Sequence, residues 1–438
     1  MRVHWRTGSS PIFSAPAESY SPVQFLRASA PDLLRAILIQ LATKSVPTRQ
    51  SCFTILRQVA QALHGGLDSE ADRISSAAVA ALRSAESASW SSLTMAALSF
   101  LAVFFRYHSP RYYSAHLLDL VPAIVRCMRD KLERVSFEAF AAGSSLAQAI
   151  RPKGSASPLQ NNFAQPIQWL FSATTDVLKD SNVDGDVRER ALETLGSLLV
   201  HEGDVLAGSS SICLPLIGSR LANDSTATTA ILVIGKIAES TTCKGAEFEN
   251  WLLEVLPDVV VALRKNKRSG GRSVESVCLQ HILARVGSTL PVKTAKGIMT
   301  ELKPFIDTSA ALYVVALVLA QQPACRTTVE KQLLPPIMEV VKTPSINPHF
   351  VEALLSFFAA YVAGDADCAT RLVPSLVENL GKAESLPDAT RGGTSTYTTT
   401  ARCIGVVVEH SQRNLVGVLT MFEKIIKVAG PSDCDGEG

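Results

Sequence analysis

The nine cysteines of this 438-residue chain contain no close couple: the shortest separation, Cys213 to Cys243, is 30 residues. Zinc knuckles and dithiol redox sites need two sulfurs near one another in sequence, so neither is expected. An excess of charge is also lacking. Forty-two Lys and Arg against 40 Asp and Glu leave a formal +2, which gives no whole-chain reason to bind nucleic acid or an anionic membrane. Long apolar runs are missing too. The longest, residues 310–320, is too short to cross a bilayer and suits a core helix.

Catalytic signatures are equally scarce. His201-Glu202 opens like a zinc-protease helix, but Val205 stands where the second histidine belongs. Gly235-Lys236 lacks the flanking residues of a phosphate loop, and no Gly-x-Ser-x-Gly elbow occurs. An enzyme, a metal or a cofactor is therefore not expected. A nucleophilic Cys52 or Cys278 is the enzymatic alternative, set against the plain reading of thiols as small core residues in a reducing compartment.

What the chain has is 47% apolar residues, ample for a continuous core, and a recurring apolar segment closed by proline. The prolines are Pro122, Pro215, Pro257, Pro304, Pro335 and Pro374, at gaps of 93, 42, 47, 31 and 39 residues. The unit is ~40 residues, the range of helical solenoids. Leu33, Leu34, Ile37, Leu38 and Leu41 recur at helical spacing; Pro47 then opens a second helix lined by Phe53, Leu56, Val59, Ala60 and Leu63, which ends at Gly65-Gly66. The same two-helix pattern predicts pairs at 70–85 with 90–108, 115–129 with 133–150, 163–179 with 186–201, 211–222 with 224–240, 247–265 with 272–289, 293–306 with 309–321, 326–342 with 347–363, and 367–381 with 394–410. A further helix at 412–428 has no partner. Thr394 to Thr400 reads equally as a loop or a helix start. The fold class expected is all-α, an α-solenoid of HEAT-like helix pairs (an armadillo-like α-α superhelix). Residues 1–29 form a leader expected to lack order, 30–429 the array of about nine pairs plus one helix, and 430–438 a flexible tail. A mitochondrial transit peptide is the other reading of the leader, although no long Arg-rich amphipathic stretch supports it.

Order and spacing of short segments carry a resemblance. They are the run Lys44 to Phe53, His108-Ser109-Pro110, Leu120-Val121-Pro122, Ile150-Arg151-Pro152, Val187-Arg188-Glu189-Arg190-Ala191 and Leu263-Arg264-Lys265-Asn266, with a looser echo from Tyr397 to Cys403. Over residues 32–428 the chain resembles an internal portion of the cullin-associated, neddylation-dissociated (Cand) proteins. The resemblance implies a non-catalytic regulator that wraps an unneddylated cullin with its RING subunit, in cytoplasm and nucleus, and influences exchange of substrate-receptor modules. The C-terminal repeats that displace the adaptor are not matched, so a separate polypeptide or a missing segment is expected to carry them. An importin-type transport receptor and a general HEAT scaffold are the alternatives; no acidic run supports the first.

Arg264, Lys265, Lys267, Arg268 and Arg272 form the one dense basic cluster. It reads either as a contact for an acidic partner surface or as a solvated turn between helices. Arg49, Arg188 and Arg190 are expected to tie turns to neighbouring repeats. Asn223-Asp224-Ser225 is expected to be a turn and helix cap, and Trp90, Trp169 and Trp251 inter-repeat packing.

Overall fold

The computed structural model describes residues 22–83, 88–155, 159–265, 273–343, 347–363, 366–382 and 396–411. Every regular element among them is a helix. In chain order they are α1 (Pro22–Leu41), α2 (Val46–Ala62), α3 (Ala71–Arg83), α4 (Ala88–Tyr107), α5 (Leu117–Met128), α6 (Glu133–Ile150), α7 (Asn161–Lys179), α8 (Gly185–Glu202), α9 (Ser210–Ser219) and α10 (Ala227–Glu239). There follow α11 (Ala246–Lys265), α12 (Val274–Val286), α13 (Val292–Leu302), α14 (Ser309–Gln321), α15 (Arg326–Gln332), α16 (Leu334–Val341), α17 (Pro348–Val362), α18 (Ala366–Lys382) and α19 (Thr396–His410). Short 3-10 turns join several of them.

The chain divides into two compact units, residues 1–152 with 158–173, and residues 153–157 with 174–438. In the first unit the second helices of successive pairs pack in a row, α2 on α4 and α4 on α6, while α3 packs on α5. In the second unit the row runs α8, α10, α12, α14, α17, α19, with α9, α11 and α13 in the companion layer. Each pair buries an apolar stripe that no single pair can cover, so neighbours supply the core.

Local sequence explains the pairing. Second helices start on side-chain caps: the Ser45, Asp184, Ser273, Thr308 and Asn347 side chains each accept a backbone N–H in the first turn of α2, α8, α12, α14 and α17. First helices carry the prolines. Pro122, Pro215, Pro257 and Pro374 sit inside α5, α9, α11 and α18 on the exposed side, where the carbonyl each deprives of a partner meets water. Pro304 falls instead in a 3-10 turn after α13, and Pro335 opens α16 and splits one first helix in two.

Aromatic packing dominates the first unit. Phe100 stacks on Phe104 with centroids 5.3 Å apart, and Tyr113 lies 5.1 Å from Phe105. Burying one such ring contributes about 1.5–3 kcal/mol. In the second unit small residues let helices close up. A Cβ on Gly235 of α10 would lie 3.3 Å from the Cys278 backbone of α12. The apolar run predicted as a core helix is α14, with Leu312, Val314, Val315, Val318 and Leu319 fully buried. No described helix is long and apolar enough to cross a membrane.

Two expectations change. Helix α1 begins at Pro22, inside the stretch assigned to a disordered leader, and Pro31 lies within the helix on its exposed side. Of the ambiguous run, residues 396–400 belong to α19, with Thr399 and Thr400 buried in it, so packing overrides their weak helix preference; residues 394 and 395 lie outside the described residues. The helix expected at 412–428 lies outside the described residues.

Candidate protein-binding surface

Helix α11 positions the start of the basic cluster. Gly245, with φ of 109° in the region that favours glycine, turns the chain into it. Glu247 and Glu249 occupy the first turn and Arg264 and Lys265 the last, so both ends complement the helix dipole. Val255, Leu256, Val259 and Val260 bury the opposite face. Lys267, Arg268 and Arg272 lie outside the described residues.

The two placed cations do different things. Arg264 donates to Glu301 of α13 at 2.7 Å, and both side chains are about half exposed (45% and 48%). That pair links consecutive first helices and contributes little stability. Lys265 instead stands at a groove of about 410 Å3 between the α9–α10 and α11–α12 pairs. Leu221, Ile231 and Val261 give the groove its apolar lining, and Asp224, Asp258 and Glu275 bring three carboxylates to it. Such a surface suits a cationic side chain with an aliphatic stem. The sequence reading missed this acidic neighbour of the basic cluster. Its signal was present in α11, where Asp258, Val261, Ala262 and Lys265 share one face at spacings of three and four.

Arg188 does not make the inter-repeat tie expected of it. Arg188 donates to the carbonyls of Ser181 (2.9 Å) and Val183 (2.8 Å), which closes its own turn. Arg190 pairs with Glu193 at 2.5 Å on its own helix. Guanidiniums that reach a neighbouring pair include Arg126 to Leu82 O, Arg220 to Leu178 O, and Arg285 to Ile237 O (3.1 Å), Ser240 O (3.2 Å) and Cys243 O, whereas Arg326 bonds Tyr361 O (3.1 Å) within its own pair. Each guanidinium satisfies carbonyls at the end of an adjacent helix. Asn223 forms the expected turn, its Oδ1 accepting from the Ser225 N–H at 3.1 Å, and Trp251 packs toward Gly218 of α9.

Reactive chemistry finds no support at the cysteines. The eight described thiols are all free and buried. Burial pushes Cys127, Cys213, Cys278 and Cys403 up to about 12 and Cys243 to about 11, far from the thiolate a nucleophile needs. Among the described residues no group of three or more His, Cys, Asp or Glu is placed to hold a metal ion.

Comparison with known proteins finds similarity to one solenoid family. Residues 65–195 match the family described as CAND1-like, TPR repeats. The chain is 27% identical over 350 residues, 78% of its length, to cullin-associated NEDD8-dissociated protein 1 of Drosophila melanogaster, and 26% identical over 360 residues, 81% of its length, to protein 2 of Mus musculus. The chain is similar to the Cand proteins. It spans 28% of the length of the fly and mouse relatives. A relative in Emericella nidulans, called the C-terminal part of the cullin-associated protein, matches 93% of this chain at 24% identity, and the match spans 40% of that relative. Among solved structures, Kap95p from a study with RanGDP superposes with a TM-score of 0.62 over 97% of this chain and 50% of its own, at 13% identity. An engineered protein gives 0.54 over 92% of this chain and 95% of its own, at 14% identity. These two likenesses establish the HEAT-type α-solenoid fold of the chain and nothing about its partners.

Proposed function

We propose that this Cand-like chain is a non-catalytic regulator of cullin–RING ubiquitin ligases. It contacts the unneddylated cullin and its RING subunit along the helix pairs and influences the exchange of substrate-receptor modules. The observation that carries this reading is the match, over 78–81% of the chain, to proteins named as cullin-associated and NEDD8-dissociated. The buried, protonated thiols are in keeping with a binding role. Affinity comes from many modest contacts engaged together. Arg264 and Lys265, with Lys267, Arg268 and Arg272 beyond them, supply a cationic contact for acidic partner surface, and the adjoining carboxylate-lined groove takes a basic side chain of the same partner.

In this reading the chain acts in cytoplasm and nucleus. The importin-type alternative rests on fold likeness alone. Recombinant chain immobilised and exposed to an unmodified cullin–RING core tests the proposal. Retention that weakens when Arg264 and Lys265 are both changed to glutamate is expected; retention unchanged by that substitution removes the cluster from the interface.

A further inference from the structure

In the first unit, the ends of α2 and α4 are held together by histidines rather than by arginine. The seam joins residues 64–72 to residues 107–116. The Gly65 N–H donates to the Tyr107 carbonyl at 3.2 Å, and the His64 ring stacks on Tyr107 with centroids 4.2 Å apart. His108 Nδ1 lies 2.8 Å from Asp68 Oδ1, and His116 Nε2 lies 3.1 Å from Asp72 Oδ1. Three of the eight histidines in the chain thus meet at one seam.

Their surroundings differ. The His108 side chain is 0% exposed, its ring stacked on Phe104 at 4.7 Å, beside the buried Tyr113. Its Nε2 has no hydrogen-bond partner in that pocket. Protonation would place a second N–H, and a charge, among aromatic rings. His116 is 24% exposed and its partner Asp72 is 80% exposed, so that pair contributes little.

The corresponding seams of the second unit are built otherwise. Arg285 ties the ends of α10 and α12, and Arg326 bonds the end of α17. A guanidinium keeps its charge throughout the physiological range, so those ties do not respond to protons.

We propose that the α2/α4 seam is a proton-operated latch, closed when His108 is neutral and released when His108 takes up a proton. The groups that act on His108 across the seam are Asp68 from the 3-10 turn after α2 and His64 from the end of α2. Glu70 is engaged by Arg73, Asp72 by His116, and Arg111 lies over the Tyr112 ring. Burial holds His108 below the ordinary histidine value, the hydrogen bond and charge of Asp68 oppose that in part, and His64 adds to the lowering. The folded chain therefore takes this proton less readily than the unfolded one. Seam stability is complete above the unfolded value of about 6.5 and falls as pH drops through it.

The full chain with 13C-labelled histidine, titrated by NMR and paired with hydrogen exchange corrected for intrinsic rates, tests the latch. His108 is expected to remain mostly neutral at pH 6.5. Opening of segments 64–72 and 107–116 is expected to rise by up to about tenfold per pH unit below that, one proton being coupled. Segments 237–243 and 361–363 should change little. The substitution His108→Phe keeps the ring and should flatten the response. A His108 at least half protonated at pH 6.5, or seam opening equal at pH 7.5 and 5.5, overturns the proposal. If His108→Phe fails to fold, the wild-type titration alone decides.

Discussion

Gly196 of α8 lies directly against Val233 of α10, so close that a Cβ at residue 196 would fall 2.7 Å from Val233 Cγ2. That contact sets how near two consecutive second helices come. Gly196→Ala is therefore expected to destabilise the chain by about 1–3 kcal/mol, the usual cost of overpacking. Gly297, inside α13, has nothing within 4 Å of its Cβ position. Gly297→Ala should stabilise by about 0.5–1 kcal/mol through helix preference alone. Urea unfolding of both variants, read by far-UV dichroism, checks the pair of opposite signs.

Arg285 gathers carbonyls from the end of α10 and from the turn leading to α11. Arg285→Met keeps much of the stem but leaves those acceptors without their donor. A loss of about 1.5–3 kcal/mol is expected. The readout is local: hydrogen exchange should quicken at residues 237–243 before the rest of the second unit responds. Uniform quickening would mean that the tie is not a local clasp.

Thiol labelling separates a binding scaffold from a cysteine enzyme. With values near 11 to 12 for Cys127, Cys213, Cys243, Cys278 and Cys403, the thiolate fraction at pH 8 is about one in a thousand or less. A disulfide reagent should modify these five slowly in the folded protein and at once after denaturation. Rapid stoichiometric labelling of Cys278 in the native chain would reopen the enzymatic reading.

Arg264 and Lys265 are exposed, and the Arg264–Glu301 pair is a surface pair. Changing both cations to glutamate should leave thermal stability nearly unchanged, within about 1 kcal/mol. Partner association should slow, and its salt dependence should weaken, because rim charges act mainly on encounter. A large fall in Tm would instead mark them as structural.

Much of this architecture is legible in sequence because helix pairs announce themselves twice, through apolar spacing and through punctuation. Pro47 behind Ser45, and Asp184 before Val187, mark helix starts that the structure reproduces. The first turns of α1 were not legible, because the apolar spacing is regular only from Leu33 onward and Pro31 sits on the exposed face of the helix. The inter-repeat arginines were harder still. Arg188 stands in a family-like segment yet closes its own turn, whereas Arg126, Arg220 and Arg285 lie near helix ends whose neighbours come from 42 to 48 residues away. The groove had the same obstacle: Asp224, Asp258 and Glu275 meet only once two pairs stack. The histidine seam needed the structure as well, since His108 and Asp68 are 40 residues apart.

The central claim, that this stack of helix pairs holds an unmodified cullin, is tested most directly by an equilibrium titration. The full chain is titrated with a purified cullin–RING core, once unmodified and once carrying NEDD8. The account predicts saturable binding of the unmodified core at micromolar concentration or tighter, and weaker binding of the modified one. No saturation at micromolar concentration, or equal affinity for both forms, would contradict it.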